Sequence, residues 1–202
     1  MSGPTEPLLS AADLPTGGSL ADARAAVDAA RPGEAASDRA RLQILEFIAT
    51  HDDALHRSCL EGHLTGSALV VDAARERVLL MLHAKLGMWL QPGGHADGEG
   101  HLASVALTEA HEETGIDELR IAPTVVDCDV HEIPERPGEP RHLHLDLRFV
   151  VVAPRGAVAR PNHESHGLRW CTPREVDEIG TDSSLRRLAQ VGLEVARSLP
   201  RP

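Results

Sequence analysis

"PGGHADGEGHLASVALTEAHEETGI", residues 92–116, sets a glycine-rich turn directly ahead of a carboxylate-bearing amphipathic segment. Leu102, Val105, Ala106 and Ala110 recur at helical spacing and Gly115 supplies a stop, which predicts a helix over about 101–114. Glu109, Glu112 and Glu113, three and four residues apart, then share one surface of that helix. Like charges at such spacings cost a helix about 0.2–0.5 kcal/mol per pair, so a cation is expected among them. Hard divalent ions such as Mg2+ or Mn2+ take oxygen donors, commonly one or two carboxylates with waters and substrate phosphates. Gly93 and Gly94 let the backbone turn sharply and approach a ligand with no side chain in the way. A solvated acidic helix face is the simpler alternative; the flanking glycines favour the metal.

Outward from this stretch, the hydrophobic period changes. Upstream, "HLTGSALVVD" and "RERVLLMLHA" read as two strands joined by a turn around residues 73–75, and "GMWLQPGGH" as extended chain. Downstream, "ELRIAPTVVDCDVHEI" and "RHLHLDLRFVVVA" read as long strands flanking the loop "PERPGEP". "SHGLRWCT" is a further strand, "PREVDEI" a short helix opened by Pro173, and "DSSLRRLAQVGLEVARSL" a final helix. Two helices are expected before all of this, over about 19–30 and 37–50. The second has Asp38 at its N-cap and a stripe of Leu42, Leu45, Ile48 and Ala49, which must bury against the main domain or a second subunit. A homodimer is therefore left open. Residues 1–18, rich in Pro, Gly and Ser, read as a flexible or loosely docked tail. The expected organisation is a tail (1–18), an N-terminal helical segment (19–60) and a main domain (61–202). Its class is α+β, a mixed β-sheet covered by helices.

Composition agrees with one domain and an appendage: 202 residues, 42% apolar and 25% charged. A formal net charge of −11 argues against general binding to nucleic-acid backbones. No secretory signal and no membrane-length apolar run is visible, so a cytoplasmic protein without a membrane partner is expected. Cys59, Cys128 and Cys171 are odd in number and widely spaced, and read as buried free thiols.

At the opening stretch the chain resembles the Nudix hydrolase family. That family's box runs Gly, five residues, Glu, seven residues, then Arg-Glu-apolar-any-Glu-Glu-any-Gly-apolar. Here Gly94 is followed by five residues, Gly100, seven residues, and Thr108-Glu109-Ala110-His111-Glu112-Glu113-Thr114-Gly115-Ile116. "LRWCTPREV" near the end is also similar to the family. Gly100 stands where the first Glu belongs, with Asp97 and Glu99 beside it, and Thr108 stands where an Arg braces a carboxylate. The resemblance implies an α/β/α sandwich and a metal-dependent hydrolase that cleaves a phosphoanhydride bond in a nucleoside diphosphate derivative. It implies Mg2+ or Mn2+ held by Glu112 and Glu113 with a carbonyl of Gly93 or Gly94. Glu109 is a further ligand or the base that deprotonates water, and Glu109 and Glu112 are the candidate catalytic residues. ADP-ribose-like dinucleotides, sugar nucleotides and nucleoside triphosphates all stay open as small-molecule substrates. The two departures motivate a different class of protein, a catalytically impaired Nudix-like nucleotide-binding module.

Other residues surround this centre. In "RHLHLDLRF", His142, His144, Asp146 and Arg148 alternate with Leu143, Leu145, Leu147 and Phe149, so the four polar side chains line one strand face. His142, His144 and Asp146 could hold a transition metal; lining of the substrate cleft is the favoured reading. His95, Lys85, His144, Arg148 and the loop acid Glu164 are the candidate substrate contacts, with Lys85 and Arg148 assigned to phosphate. Trp89 either stacks a base or belongs to the core.

Overall fold

The computed structural model describes residues 7–163 and 165–200. Strand β1, Gly62–Val71, is buried at every position and forms the middle of the sheet. It runs parallel to β6 (His142–Val152), in register from Gly62 opposite Leu143 to Val71 opposite Val152. A strand covered on both faces needs apolar residues at consecutive positions, as in "SALVV" and "FVVV". Beyond β6 lies antiparallel β5 (Arg120–Ile133). On its other side β1 meets β2 (Val78–His83) at its C-terminal end and the glycine strand β4 (Gly93–His95) over residues 65–67. β2 in turn carries β3 (Trp89–Leu90) and β7 (Ser165–Cys171). Among the described residues the result is one mixed sheet of seven strands, β3-β2-β1-β6-β5 with β4 and β7 branching from it.

Helices α1 (Leu20–Ala29), α2 (Ala35–Thr50) and α3 (Leu102–Thr114) share one apolar core with Leu64, Ala68, Leu145, Leu147 and Phe149. Helices α4 (Pro173–Glu178) and α5 (Ser183–Ser198) form a second core with Leu69, Val71, Val150 and Val152, which alternate to the opposite sheet face. This is the expected α+β class, an α/β/α sandwich. Cys59, Cys128 and Cys171 are buried free thiols. Among the described residues no helix is long and apolar enough to cross a membrane.

Two expectations for the N-terminal third change. Helix α2 starts at Ala35, ahead of the expected 37, with Glu34 rather than Asp38 at the N-cap, and Asp38 instead pairs with Arg41 at 3.0 Å within the first turn. Its buried stripe is Ser37, Ala40, Ile44 and Ile48; Leu42 stays 52% exposed and Ala49 is also exposed. Small residues at 37 and 40 let α2 lie close on β5, where the Cys128 N–H donates to Ser37 Oγ at 2.7 Å. The stripe is thus covered by the same chain.

Of the expected tail, residues 1–6 lie outside the described residues, and the part from 7 to 18 is docked rather than loose. Leu9 exchanges two backbone hydrogen bonds of 2.9 Å with Ile121 on β5, and the Glu99 carboxylate accepts N–H groups from Gly17 (2.6 Å), Gly18 (2.7 Å) and His101 (2.7 Å). Burial would raise the Glu99 carboxyl, yet these three donors outweigh it and hold it below its ordinary range. Hydrogen bonds to a charged group contribute about 1.5–3 kcal/mol each. Glu99→Ala is therefore expected to loosen this docking and speed limited proteolysis ahead of α1. Unchanged cleavage would mean that Leu9–Ile121 pairing alone holds the segment.

Candidate active site

Strand β4 and helix α3 converge through the glycines. A Cβ on Gly94 would fall on the Glu109 carboxylate, so only glycine leaves the backbone in direct contact with that side chain. The Gly93 N–H donates to Glu113 Oε2 at 2.9 Å. Helix α3 is anchored by buried Leu102, Ala106 and Ala110 and stopped by Gly115 in the left-handed region. The three carboxylates then grade outward: Glu113 is 4% exposed, Glu109 half-buried and Glu112 exposed. The Glu112 backbone carbonyl accepts a 3.1 Å bond from Asn162 Nδ2. Glu109 and Glu113 both come against the glycines of β4 in partly buried surroundings, and buried negative charge favours a cation beside it. All-oxygen donors suit a hard divalent ion, and the Gly94 cradle keeps the carboxylates against the glycine backbone. These residues fit Mg2+ or Mn2+.

The departure from the box at Gly100 has a physical reason. A Cβ on Gly100 would collide with the Ser19 carbonyl and with Gly18, so the docked N-terminal segment takes the room of a larger side chain. Glu99 is committed to Gly17, Gly18 and His101, and Asp97 forms a two-pronged pair with Arg57 at 2.8 and 2.7 Å. Thr108 is exposed.

On the other side of the sheet, strand register builds a polar face. His63, Thr65 and Ser67 of β1 stand opposite His144, Asp146 and Arg148 of β6, and these opposite His131, Asp129 and Asp127 of β5. One end of this face is an ion network. Asp146 accepts from Thr65 (2.9 Å), Ser67 (2.8 Å) and Arg148 (2.7 Å). Arg148, 3% exposed, also reaches Asp127 (3.1 Å), Asp129 (3.2 Å) and Ser184 (2.6 Å), and Arg187 from α5 joins Asp127 at 2.9 Å. Burial works against the Arg148 charge, but the three carboxylates outweigh it and keep it protonated. Burial likewise would raise Asp129, while bonds from His131, Ser184 and Arg187 and the Arg148 charge hold it well below its ordinary range. The expected phosphate contact of Arg148 is thereby corrected: its donors are spent inside the protein.

The other end is histidine-rich. His95 and His144 come together with their Nε2 atoms 3.2 Å apart. Burial, then the Arg57 charge, pushes His95 down to about 4; burial, then neighbouring histidines, pushes His144 down to about 2. Both are neutral at pH 7 and can offer a substrate hydrogen bonds rather than charge. Lys85 stands in the exposed turn between β2 and β3, with its backbone N–H on His83 Nδ1 at 3.2 Å. Trp89 packs against the second core. Glu164 lies outside the described residues. His63, Asp127, Asp129 and Arg187 were not legible as site residues, although "HLTGS" repeats the polar alternation of "HLHLDLR" and hinted at a shared face.

A NUDIX domain family model matches residues 63–190, more than half of the chain. Among solved structures, a C. elegans Ap4A hydrolase binary complex is 15% identical, with a TM-score of 0.56, and the alignment covers 67% of this chain and 98% of that one. A NUDIX hydrolase from Listeria monocytogenes is 13% identical, with a TM-score of 0.53, and the alignment covers 66% and 94%. At these identities the structures speak for the fold. The chain belongs to the Nudix family. By that membership it is an enzyme of the pyrophosphohydrolase class.

Proposed function

We propose that the protein is a metal-dependent hydrolase of a phosphoanhydride bond in a nucleoside diphosphate derivative, centred on Glu109, Glu112 and Glu113. The observation that carries this reading is the convergence of α3 on β4, with Glu113 bonded to the Gly93 N–H and Glu109 laid over Gly94. Glu112 and Glu113, with the Gly94 carbonyl, would hold Mg2+ or Mn2+, which supplies phosphate charge neutralisation and a more acidic bound water. The Gly93 N–H orients the Glu113 carboxylate. Glu112, exposed where Glu113 is buried, is the carboxylate of the three most open to an incoming substrate. Glu109 is a further ligand or takes the proton of the attacking water. His95 and His144, neutral and adjacent, can hydrogen-bond the substrate.

The purified protein with Mg2+ or Mn2+ is expected to turn over at least one member of a panel of ADP-ribose-like compounds, sugar nucleotides, nucleoside triphosphates and Ap4A. Phosphate or pyrophosphate release should stop in chelator. Tight nucleotide binding with no turnover would instead support the nucleotide-binding module, the reading favoured by the filled space at Gly100 and by Thr108.

A further inference from the structure

His63 on β1, His95 on β4 and His144 on β6 each offer a ring nitrogen, and the three donor atoms lie within 4.8 Å of one another. Their rings pack closely, with centroids 4.9 Å apart for His63–His95, 5.1 Å for His63–His144 and 4.9 Å for His95–His144. His63 is 3% exposed, and among the described residues neither of its ring nitrogens makes a hydrogen bond of normal geometry, although the Cys59 backbone lies near enough to favour its protonated form. Buried polar atoms are normally satisfied, so such a ring aimed into a histidine cluster asks for a ligand. The 3.2 Å between His95 Nε2 and His144 Nε2 is close to the spacing of about 3.3–3.4 Å that two imidazoles adopt on a tetrahedral zinc with Zn–N near 2.0–2.1 Å. His142 stacks on His63 at 4.8 Å and places its Nδ1 2.8 Å from the Pro140 carbonyl, closing one wall of the cluster.

Asp146 does not join, because Thr65, Ser67 and Arg148 already use its oxygens. The trio therefore differs from the His142–His144–Asp146 grouping that strand alternation suggests. It also differs in chemistry from the carboxylate centre. Imidazole nitrogens suit zinc and its transition-metal neighbours, whereas Mg2+ wants oxygen. His95 directly follows Gly94, so the two groups flank the same short strand and alternate to its opposite faces.

We propose that His63, His95 and His144 form a nitrogen-ligated site for a borderline divalent cation of the zinc type, separate from the oxygen-ligated carboxylate site. Three protein ligands leave a fourth position for water or a substrate group. The test uses the full chain, stripped by chelator, dialysed, and titrated with Co2+ and then Zn2+ in excess Mg2+, which saturates the carboxylates. One equivalent of Co2+ is expected to give an intense tetrahedral ligand-field band that Zn2+ displaces. Outer-shell changes alone weaken metal sites about 10–100-fold, so His95→Asn and His144→Asn should each weaken binding by more than about 100-fold. Glu112→Gln should leave the band unchanged, which separates this site from the hydrolytic one. Circular dichroism checks that the variants fold, and if they do not, the wild-type titration decides by itself. Absence of the stoichiometric band, its survival in both folded histidine variants, or its loss in folded Glu112→Gln overturns the proposal.

Discussion

Replacing Glu112 and Glu113 together by Gln is expected to abolish Mg2+ or Mn2+ binding at the carboxylate centre and to cut nucleotide turnover by at least about 100-fold, or ~2.7 kcal/mol of barrier. Gln keeps the size of Glu, and at 113 its amide oxygen can still accept the Gly93 N–H, so the local backbone has no reason to move. What disappears is two negative charges at the point where α3 meets β4. Thermal unfolding gives a second reading of the same event. A ligand at 100 times its dissociation constant stabilises the native state by about 2.7 kcal/mol, which for a chain of this size is a rise of about 5–10 °C in Tm. The wild type should show that rise with Mg2+, and the double variant should stay flat. Calorimetric metal binding that is unchanged in the double variant, measured in Mg2+, would show that the carboxylate assignment is wrong.

Arg148→Met is expected to destabilise the fold by about 3–5 kcal/mol, because breaking a buried pair strands its partner charges. The network holds three carboxylates, Asp127, Asp129 and Asp146, and two guanidinium groups, Arg148 and Arg187. Removing Arg148 changes that local balance from −1 to −2 in a site where Asp127 and Asp146 are each 1% exposed. The matching fall in Tm is about 6–20 °C. Exposed Arg155→Ala, as a control, should stay within about 0.5 kcal/mol of the wild type. A variant at Arg148 that keeps full stability but shows a raised KM for nucleotide would return this residue to phosphate binding.

Most element types and their order were written locally in the chain. The 3.6-residue recurrence of Leu102, Val105, Ala106 and Ala110 makes α3, and Gly115 ends it, without help from distant residues. The period of two in "RHLHLDLRF" sets which side chains of β6 share a face. The fixed spacing from Gly94 to Ile116 identified the family and its carboxylates, since those residues meet across one strand, one loop and one helix close in sequence.

Tertiary structure decided everything that depends on a partner far along the chain. Two overlapping stripes of α2 contain Ile48, and only the approach of β5 selects Ala40 and Ile44 over Leu42 and Ala49. Gly100 reads as a missing carboxylate in the sequence, and the Ser19 carbonyl packed against it supplies the reason. Arg148 alternates with leucines as a solvent-facing or cleft residue would, yet Asp127, Asp129 and Ser184 arrive from β5 and α5 to consume its donors. The histidine trio depends on three strands aligning in one register, which places His63 beside His144 and brings His95 to the same face. Local periodicity determines which face a side chain takes, but the charge, donor or metal preference that this face acquires comes from what the fold sets opposite it.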